Sequence, residues 1–139
     1  MTAATVVICT HNRATVVRAA IERALGEARQ AGGEVLVVDN ASTDDTPALL
    51  AALAHDAPDL RVVQEERLGL SAARNRGLSE AHGDVVAYLD DDAVPRPGWL
   101  AALLAPYANP GVGCVGGSGS AGTSAPGVLA SGFMVLTRW

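Results

Sequence analysis

Short apolar segments alternate with helical patterns over the first hundred residues, and this alternation limits the fold to one class. Thr5–Cys9, Val35–Val38 and Val85–Leu89 are rich in β-branched residues, which is typical of strands buried on both faces. Leu60–Gln64 is a weaker run of the same kind. The pattern predicts an α/β fold with a mostly parallel sheet and helices on both faces.

Four helices are expected between and after these strands, with bounds set by capping and breaking residues. In chain order they are a helix from Val17 to Ala28 stopped by Gly32, a helix around Leu49–Leu53 with its N-cap in Ser42–Asp45, a helix capped near Ser71 and closed by Gly83, and a short helix from Pro95–Gly98 to about Tyr107. Beyond Pro110, Gly111–Gly127 shows no clear periodicity and is expected to be a mobile loop. Val128–Leu136 again resembles a strand.

Composition narrows the classes of function. The chain has 139 residues, enough for one domain, and its 49% hydrophobic content excludes a disordered tail. A net charge of −5 argues against a nucleic-acid binder. With no export signal or long apolar span visible, we expect a cytoplasmic chain, associated with a membrane only through parts absent here. Cys9 and Cys114, each among apolar residues, are expected to be buried, reduced thiols.

Polar segments follow three of the predicted strands, at the edge where parallel sheets bind ligands. They are Thr10–Arg13, Asp39-Asn40 and Asp90–Asp92. Three adjacent carboxylates repel one another unless a cation, hydrogen-bond donors or water balance them. Carboxylate oxygens suit Mg²⁺ or Mn²⁺, and Mg²⁺ is usually held by one or two carboxylates plus substrate phosphates. The alternative interpretation of Asp90–Asp92 is a solvated acidic turn.

Two further candidates have two interpretations each. Asp39 suits hydrogen bonds to a base or ribose, and it equally suits a turn. Arg74 and Arg76 are two apart on a predicted helix, so at most one faces the site. A guanidinium there would bind a diphosphate in bidentate fashion. Arg74 is the candidate, and Arg76 is expected to face solvent.

Taken together, these segments resemble family 2 glycosyltransferases, the inverting enzymes with a GT-A fold. The resemblance covers about residues 5–105 and implies a Rossmann-like nucleotide-binding half. It rests on VVICTHNR at Val6–Arg13, VVDNASTDDT at Val37–Thr46, LGLSAARNRG at Leu68–Gly77 and YLDDDAVPRPGWL at Tyr88–Leu100.

The resemblance implies a role for each candidate. Thr10, Asn12, Arg13 and Asp39 would hold the nucleobase and ribose, Arg74 would approach the nucleobase or diphosphate, Asp92 would ligate Mg²⁺ or Mn²⁺, and Asp90 or Asp91 would bind the ribose hydroxyls or assist the metal. The ligand would be a nucleotide-diphosphate sugar, with a UDP-sugar favoured. The acceptor would be a glycan, a lipid or a small molecule. The reaction would displace the diphosphate from the anomeric carbon, with metal and arginine neutralising the leaving group.

One feature of the family is missing from this sequence. Family members carry an Asp or Glu general base in a second half of the protein, and residues 93–139 contain neither residue type. We therefore expect residues 1–110 to form the nucleotide-sugar-binding domain and residues 111–139 to form a loop and strand that lead toward an absent acceptor half. The general base stays unidentified, and the chain is expected to bind a nucleotide without full transferase activity.

Two other functions remain open at this stage. A non-catalytic nucleotide-binding module fits the missing base. A phosphatase of the haloacid dehalogenase type would use Asp90 as nucleophile and Asp92 as acid/base. That family needs a basic residue downstream, usually lysine; the chain has no lysine, and only Arg96 and Arg138 follow. The missing lysine also weighs against a receiver-type signalling domain.

Overall fold

The computed structural model describes residues 3–117 and 133–137, and its centre is a six-stranded sheet in the order β3-β2-β1-β4-β6-β5. The strands are β1 (Ala4–Thr10), β2 (Glu34–Asp39), β3 (Leu60–Gln64), β4 (Val85–Asp90), β5 (Cys114–Gly117) and β6 (Phe133–Thr137). Strands β1 to β4 pair in parallel, whereas β6 runs antiparallel to both β4 and β5. The predicted α/β class with a mostly parallel sheet is confirmed.

Helices cover both faces of the sheet. They are α1 (Val17–Ala31), α2 (Thr46–Asp56), α3 (Leu70–Glu80) and α4 (Trp99–Leu104), the last followed by a 3₁₀ turn at Ala105–Ala108. Alternate side chains of each strand point to opposite faces, so β1 contributes Val6 to one core and Val7 to the other. The first core contains residues of α1, α2 and α4, and the second contains residues of α3.

Helix α3 lies close to the sheet because its buried face carries only small residues. Ala73 and Gly77 are its two buried residues. A Cβ added at Gly77 would lie 2.5 Å from Cγ1 of Val7, nearer than side chains approach. Glycine at this position therefore sets the distance between α3 and β1, and with it the position of the N-terminus of α3 at the edge of the sheet.

The ends of α3 differ from the sequence prediction. Its N-cap is Gly69, at a φ of 142°, and Ser71 lies inside the helix. The helix ends at Glu80, before Gly83. A Cβ on Gly83 would lie 2.6 Å from the carbonyl carbon of Ala4, so this glycine is required by a close approach to β1 and not by a helix cap.

The other helices start and end near the predicted positions. Helix α1 continues beyond Ala28 to Ala31 and ends at Gly32, which adopts the left-handed conformation at φ 73°. Helix α2 has Asp45 as N-cap, within the predicted range, but the capping hydrogen bond comes from Asp44, whose carboxylate accepts the Thr46 N–H at 2.8 Å.

The expectation of an unstructured segment after Pro110 is wrong over four residues. Cys114–Gly117 forms β5, because pairing with β6 supplies hydrogen bonds that no local sequence pattern reveals. Residues 118–127 lie outside the described part of the chain. Of the predicted strand Val128–Leu136, the described residues place β6 at Phe133–Thr137.

The two cysteines also depart from the prediction of two buried thiols. Cys114 is exposed on the edge strand β5, and Cys9 is only partly buried; both are free. Burial nevertheless raises the pKa of the Cys9 thiol to about 12. Across the described residues, no helix has both the length and the apolar character needed to cross a bilayer.

Candidate functional site

A cleft of about 540 Å³ opens at the carboxyl edge of the parallel strands, where the strand-end rule predicts a ligand site. It is lined by Cys9, Thr10, His11, Arg13, Asn40, Leu68, Gly69, Leu70, Ala73, Asp90, Asp91 and Asp92. The segments after β1, β2 and β4 thus meet at one place, together with the N-terminus of α3. Of the predicted site residues, the cleft brings together Thr10, Arg13 and the three aspartates.

The acidic segment Asp90–Asp92 forms one side of the cleft, and a hydrogen bond fixes its middle residue. Thr10 Oγ1 donates to Asp91 Oδ2 at 2.9 Å. Burial raises the pKa of Asp91 above its ordinary value, and the neighbouring Asp92 and Asp90 act in the same direction. The Thr10 hydrogen bond and the charge of Arg13 oppose that rise without cancelling it.

The donor set of this segment fits a hard cation that shares its ligands with a phosphate. Among the described residues, no three His, Cys, Asp or Glu side chains are grouped so as to hold a metal by themselves. Mg²⁺ and Mn²⁺ do not need such a cage, since one or two carboxylates plus phosphate oxygens and water complete the coordination. Asp90 and Asp92 line the cleft beside Asp91 and provide oxygens of this kind.

Asp39 is buried beside the cleft with an unmet hydrogen-bonding capacity. Asp39 is fully buried at the end of β2, next to Thr10 and Asn40, and is not one of the residues that line the cleft; its Oδ1 accepts the Ser42 N–H at 3.3 Å. Its Oδ2 finds no hydrogen-bond partner among the described residues. An unpartnered buried polar atom costs about 1–3 kcal/mol, so a donor from a ligand would be stabilising here.

Asn12, predicted to contact the ligand, does not line the cleft and instead bonds to the loop after β2. It adopts a left-handed φ of 50°, and its Oδ1 accepts the N–H groups of Thr43 at 2.7 Å and Asp44 at 3.3 Å. Arg13, by contrast, lines the cleft, while its backbone N–H donates to Thr46 Oγ1 at 3.1 Å. Asn12 therefore joins the loop after β1 to the loop after β2, and direct ligand contact by its side chain stays a prediction.

Arg74 and Arg76 point in different directions, as their spacing predicts. The Arg74 guanidinium lies 5.8 Å from the ring centre of Tyr88, a cation–π distance, and the Tyr88 hydroxyl donates to the Arg74 carbonyl at 2.8 Å. Arg76 instead pairs with Glu80 at 3.0 Å on the same helix. Arg74 is beside the cleft but does not line it.

Asn40 is the residue that the sequence analysis missed. Its buried side chain donates to the carbonyls of Glu65 at 3.0 Å and Arg67 at 2.7 Å, and it accepts the Gly69 N–H at 2.8 Å. Its own carbonyl lies 2.7 Å from His11 Nδ1. The side-chain amide of Asn40 thus joins the loop after β2 to the loop after β3, and its backbone carbonyl joins it to the loop after β1. The sequence signal for this role was a side chain with both donors and an acceptor at the end of a buried strand.

We expect Asn40→Asp to lower the free energy of unfolding by about 1–3 kcal/mol, because a carboxylate of the same shape cannot donate to the two carbonyls. Urea denaturation measures the change. Asn75→Asp, at an exposed position of α3, is the matched control and should have an effect within about 0.5 kcal/mol. Equal stability of the two variants would contradict the role given to Asn40.

Comparison with known proteins identifies the family. The family model described as glycosyl transferase family 2 matches residues 5–128. The chain belongs to this family. Over 101 residues it is 39% identical to the succinoglycan biosynthesis protein ExoO of Rhizobium meliloti, an alignment that covers 72% of this chain and 28% of that protein.

Solved structures of glycosyltransferases share the fold. Mannosyltransferase PcManGT from Pyrobaculum calidifontis, in complex with GDP-Man and Mn²⁺, superposes with a TM-score of 0.72 at 35% identity, covering 80% of this chain and 34% of that one. Glucosyl-3-phosphoglycerate synthase from Mycobacterium tuberculosis gives a TM-score of 0.73 at 23% identity, with 98% and 56% covered, and shows the fold alone. The predicted family and its Rossmann-like GT-A fold are confirmed. This family 2 chain spans about a third or less of ExoO and PcManGT.

Proposed function

We propose that the chain binds a nucleotide-diphosphate sugar in the cleft, as the donor-binding part of a family 2 glycosyltransferase. The observation that carries this proposal is the meeting of three strand-end segments at one cleft, with the carboxylates of Asp90–Asp92 on one side and the N-terminus of α3 on another. Further support comes from PcManGT, which is 35% identical and was solved with GDP-Man and Mn²⁺.

The nucleoside end of the ligand is assigned to the loops after β1 and β2. Asp39 Oδ2 is a buried acceptor without a partner among the described residues, and an N–H of a base or an O–H of ribose would supply the missing hydrogen bond. Thr10, which pairs with Asp39 at the ends of β1 and β2, lines the cleft together with Arg13, and Asn12 holds the loop that carries Arg13. Arg74 would approach the diphosphate or the base from α3.

The diphosphate end is assigned to the acidic segment. Asp92 and Asp90 would hold Mg²⁺ or Mn²⁺, and the cation, when bound, would offset the negative charge of the diphosphate leaving group. Asp91, held by Thr10, either binds the ribose hydroxyls or assists from its fixed position. Experiment decides which nucleobase the ligand carries: the family resemblance favours UDP, and the PcManGT complex supports GDP.

The transfer step needs a general base, and residues 93–139, where the family resemblance leads us to expect it, contain no Asp or Glu. An acceptor hydroxyl would attack the anomeric carbon, the bond to the diphosphate would break with inversion, and a base would take the hydroxyl proton. The cleft carboxylates are already assigned. We propose that the general base comes from other parts of the protein or from another chain. The site for a glycan, lipid or small-molecule acceptor would come from there as well, and so would any membrane association.

A thermal-shift panel of nucleoside diphosphates tests the binding proposal. At a hundredfold excess over Kd, a ligand that binds only the folded chain adds about 2.7 kcal/mol of stability. For a domain of this size that corresponds to a rise in Tm of roughly 5–10 °C. We expect UDP or GDP to produce this rise in Tm when Mn²⁺ is present and a smaller rise when EDTA replaces it. The Tm of the chain with Mn²⁺ alone is the reference. Absence of any shift with Mn²⁺ present would count against a nucleotide site.

A further inference from the structure

Glu27 is a buried carboxylate outside the cleft, and nothing in the proposed function uses it. It lies on α1 with 4% of its surface exposed. Its Oε1 accepts the Gly98 N–H at 3.0 Å and its Oε2 accepts the Leu100 N–H at 3.1 Å. A buried carboxylate is stable only when its oxygens are hydrogen-bonded in this way.

The two N–H groups that donate hydrogen bonds to Glu27 are at the start of α4. Gly98 is the N-cap of α4, has a φ of 81° and has no side chain with which to cap the helix. The carboxylate from α1 takes over that function, in a charge-assisted form that is stronger than a neutral cap. Two hydrogen bonds thereby hold the start of α4 against α1.

The start of α4 is connected to the acidic segment by a short and stiff loop. Residues 93–98 include Pro95, which is buried, and Pro97, and each proline fixes its own φ and restricts the residue before it. Turns close both ends of the loop, from the Ala93 N–H to the Asp90 carbonyl and from the Trp99 N–H to the Arg96 carbonyl, each at 3.1 Å. The prolines and the two turns therefore leave few free backbone torsions between Gly98 and Asp92.

We propose that Glu27 is a positioning residue for the acidic segment: by holding the far end of the 93–98 loop, it sets where Asp90–Asp92 stand in the cleft. The near end is held separately by the hydrogen bond from Thr10 to Asp91. This inference rests on the proposed function in assigning the segment a cation and a diphosphate. Glu27 contacts neither ligand and acts through the backbone of α4.

The test compares Glu27→Gln with Glu22→Gln. Both remove one negative charge from α1, but Glu22 is exposed and forms an ion pair with Arg18 of the same helix, at 3.4 Å. Hydrogen–deuterium exchange on the ligand-free chain comes first. In Glu27→Gln the amides of residues 91–100, other than Pro95 and Pro97, should exchange about tenfold faster or more, the change expected for loss of a charge-assisted hydrogen bond, while those of β2 keep their rate. Glu22→Gln should match the wild type.

Calorimetry then measures two affinities, that of UDP or GDP with Mn²⁺ and that of uridine or guanosine without metal. Loss of a residue that orients metal ligands typically lowers metal affinity about 10–100-fold. We therefore expect Glu27→Gln to weaken the binding of UDP or GDP with Mn²⁺ by about that factor, and the binding of uridine or guanosine without metal by less than about twofold. Glu27→Asp, which is too short to reach both N–H groups, should act in the same direction and replaces Glu27→Gln if that variant does not fold.

Two results overturn the inference. One is an unchanged exchange rate at residues 91–100, and the other is an equal loss of both affinities, which would indicate a general effect on the fold. If the wild-type chain binds no nucleotide, the proposed function fails, and the exchange rates alone still decide whether Glu27 holds the acidic segment.

Discussion

The chain by itself, given a nucleotide sugar and a range of acceptors, is expected to show slow hydrolysis at most and no efficient sugar transfer. An inverting displacement needs a group that takes the acceptor proton, and such help accelerates the reaction by about 10²–10⁴-fold. No acidic side chain occurs from Ala93 to Trp139. The acidic groups of the cleft are assigned to the nucleotide and the cation, which leaves none to act as base.

Product analysis by chromatography separates transfer from hydrolysis, because only transfer yields a glycosylated acceptor. If the gene continues beyond residue 139, the longer form is the positive control and should transfer the sugar. The result also separates a transferase from a non-catalytic nucleotide-binding module, since a module stays inactive in the longer form. Rapid transfer by the monomeric 139-residue chain would show that the missing-base argument is wrong.

Substitutions at the two ends of the cleft are expected to have different effects. Asp92→Asn should reduce the affinity for UDP or GDP in Mn²⁺ to its metal-free level and leave the weak binding of uridine or guanosine unchanged. Asp39→Ala should weaken even the nucleoside, by about 10–100-fold, since a hydrogen bond to a charged group contributes about 1.5–3 kcal/mol. The contrast follows from the assignment of Asp92 to the cation and Asp39 to the base or ribose.

Stability measurements distinguish binding effects from folding effects in these variants. Asp39→Ala removes a buried oxygen without a partner among the described residues, but it also leaves the Ser42 N–H without its acceptor, so the free energy of unfolding without ligand should fall by about 1–3 kcal/mol. Asp56→Asn, at the exposed C-terminal end of α2, controls for the change in net charge. If Asp92→Asn and Asp39→Ala weaken nucleoside and diphosphate equally, the assignment of the two ends is wrong.

Local sequence signals were sufficient for the parallel part of the fold. The apolar runs around β1, β2 and β4 predicted buried strands because each strand is covered on both faces. Gly32 predicted the end of α1 because the left-handed conformation there favours glycine. The strand-end rule then predicted that Thr10, Arg13 and Asp90–Asp92 meet at one edge, and all of them line the cleft.

Features that depend on distant contacts were not predictable in this way. Strand β5 forms within a glycine-rich segment because β6 pairs with it. Asn40 holds a loop that begins 25 residues further along the chain, and nothing near it in the sequence reveals that role. Glu27 resembles an ordinary surface charge until its contacts, 71 and 73 residues away, are seen.

The central claim is that the cleft binds a nucleoside diphosphate together with a divalent cation. Isothermal titration of the chain with UDP and with GDP, in Mn²⁺ and then in EDTA, tests it most directly. We expect one site per chain for at least one of the two nucleotides, with an affinity at least about tenfold higher in Mn²⁺, because the cation would be shared between carboxylates and phosphate. Absence of binding by both nucleotides in Mn²⁺, or equal affinity with and without the metal, would contradict it.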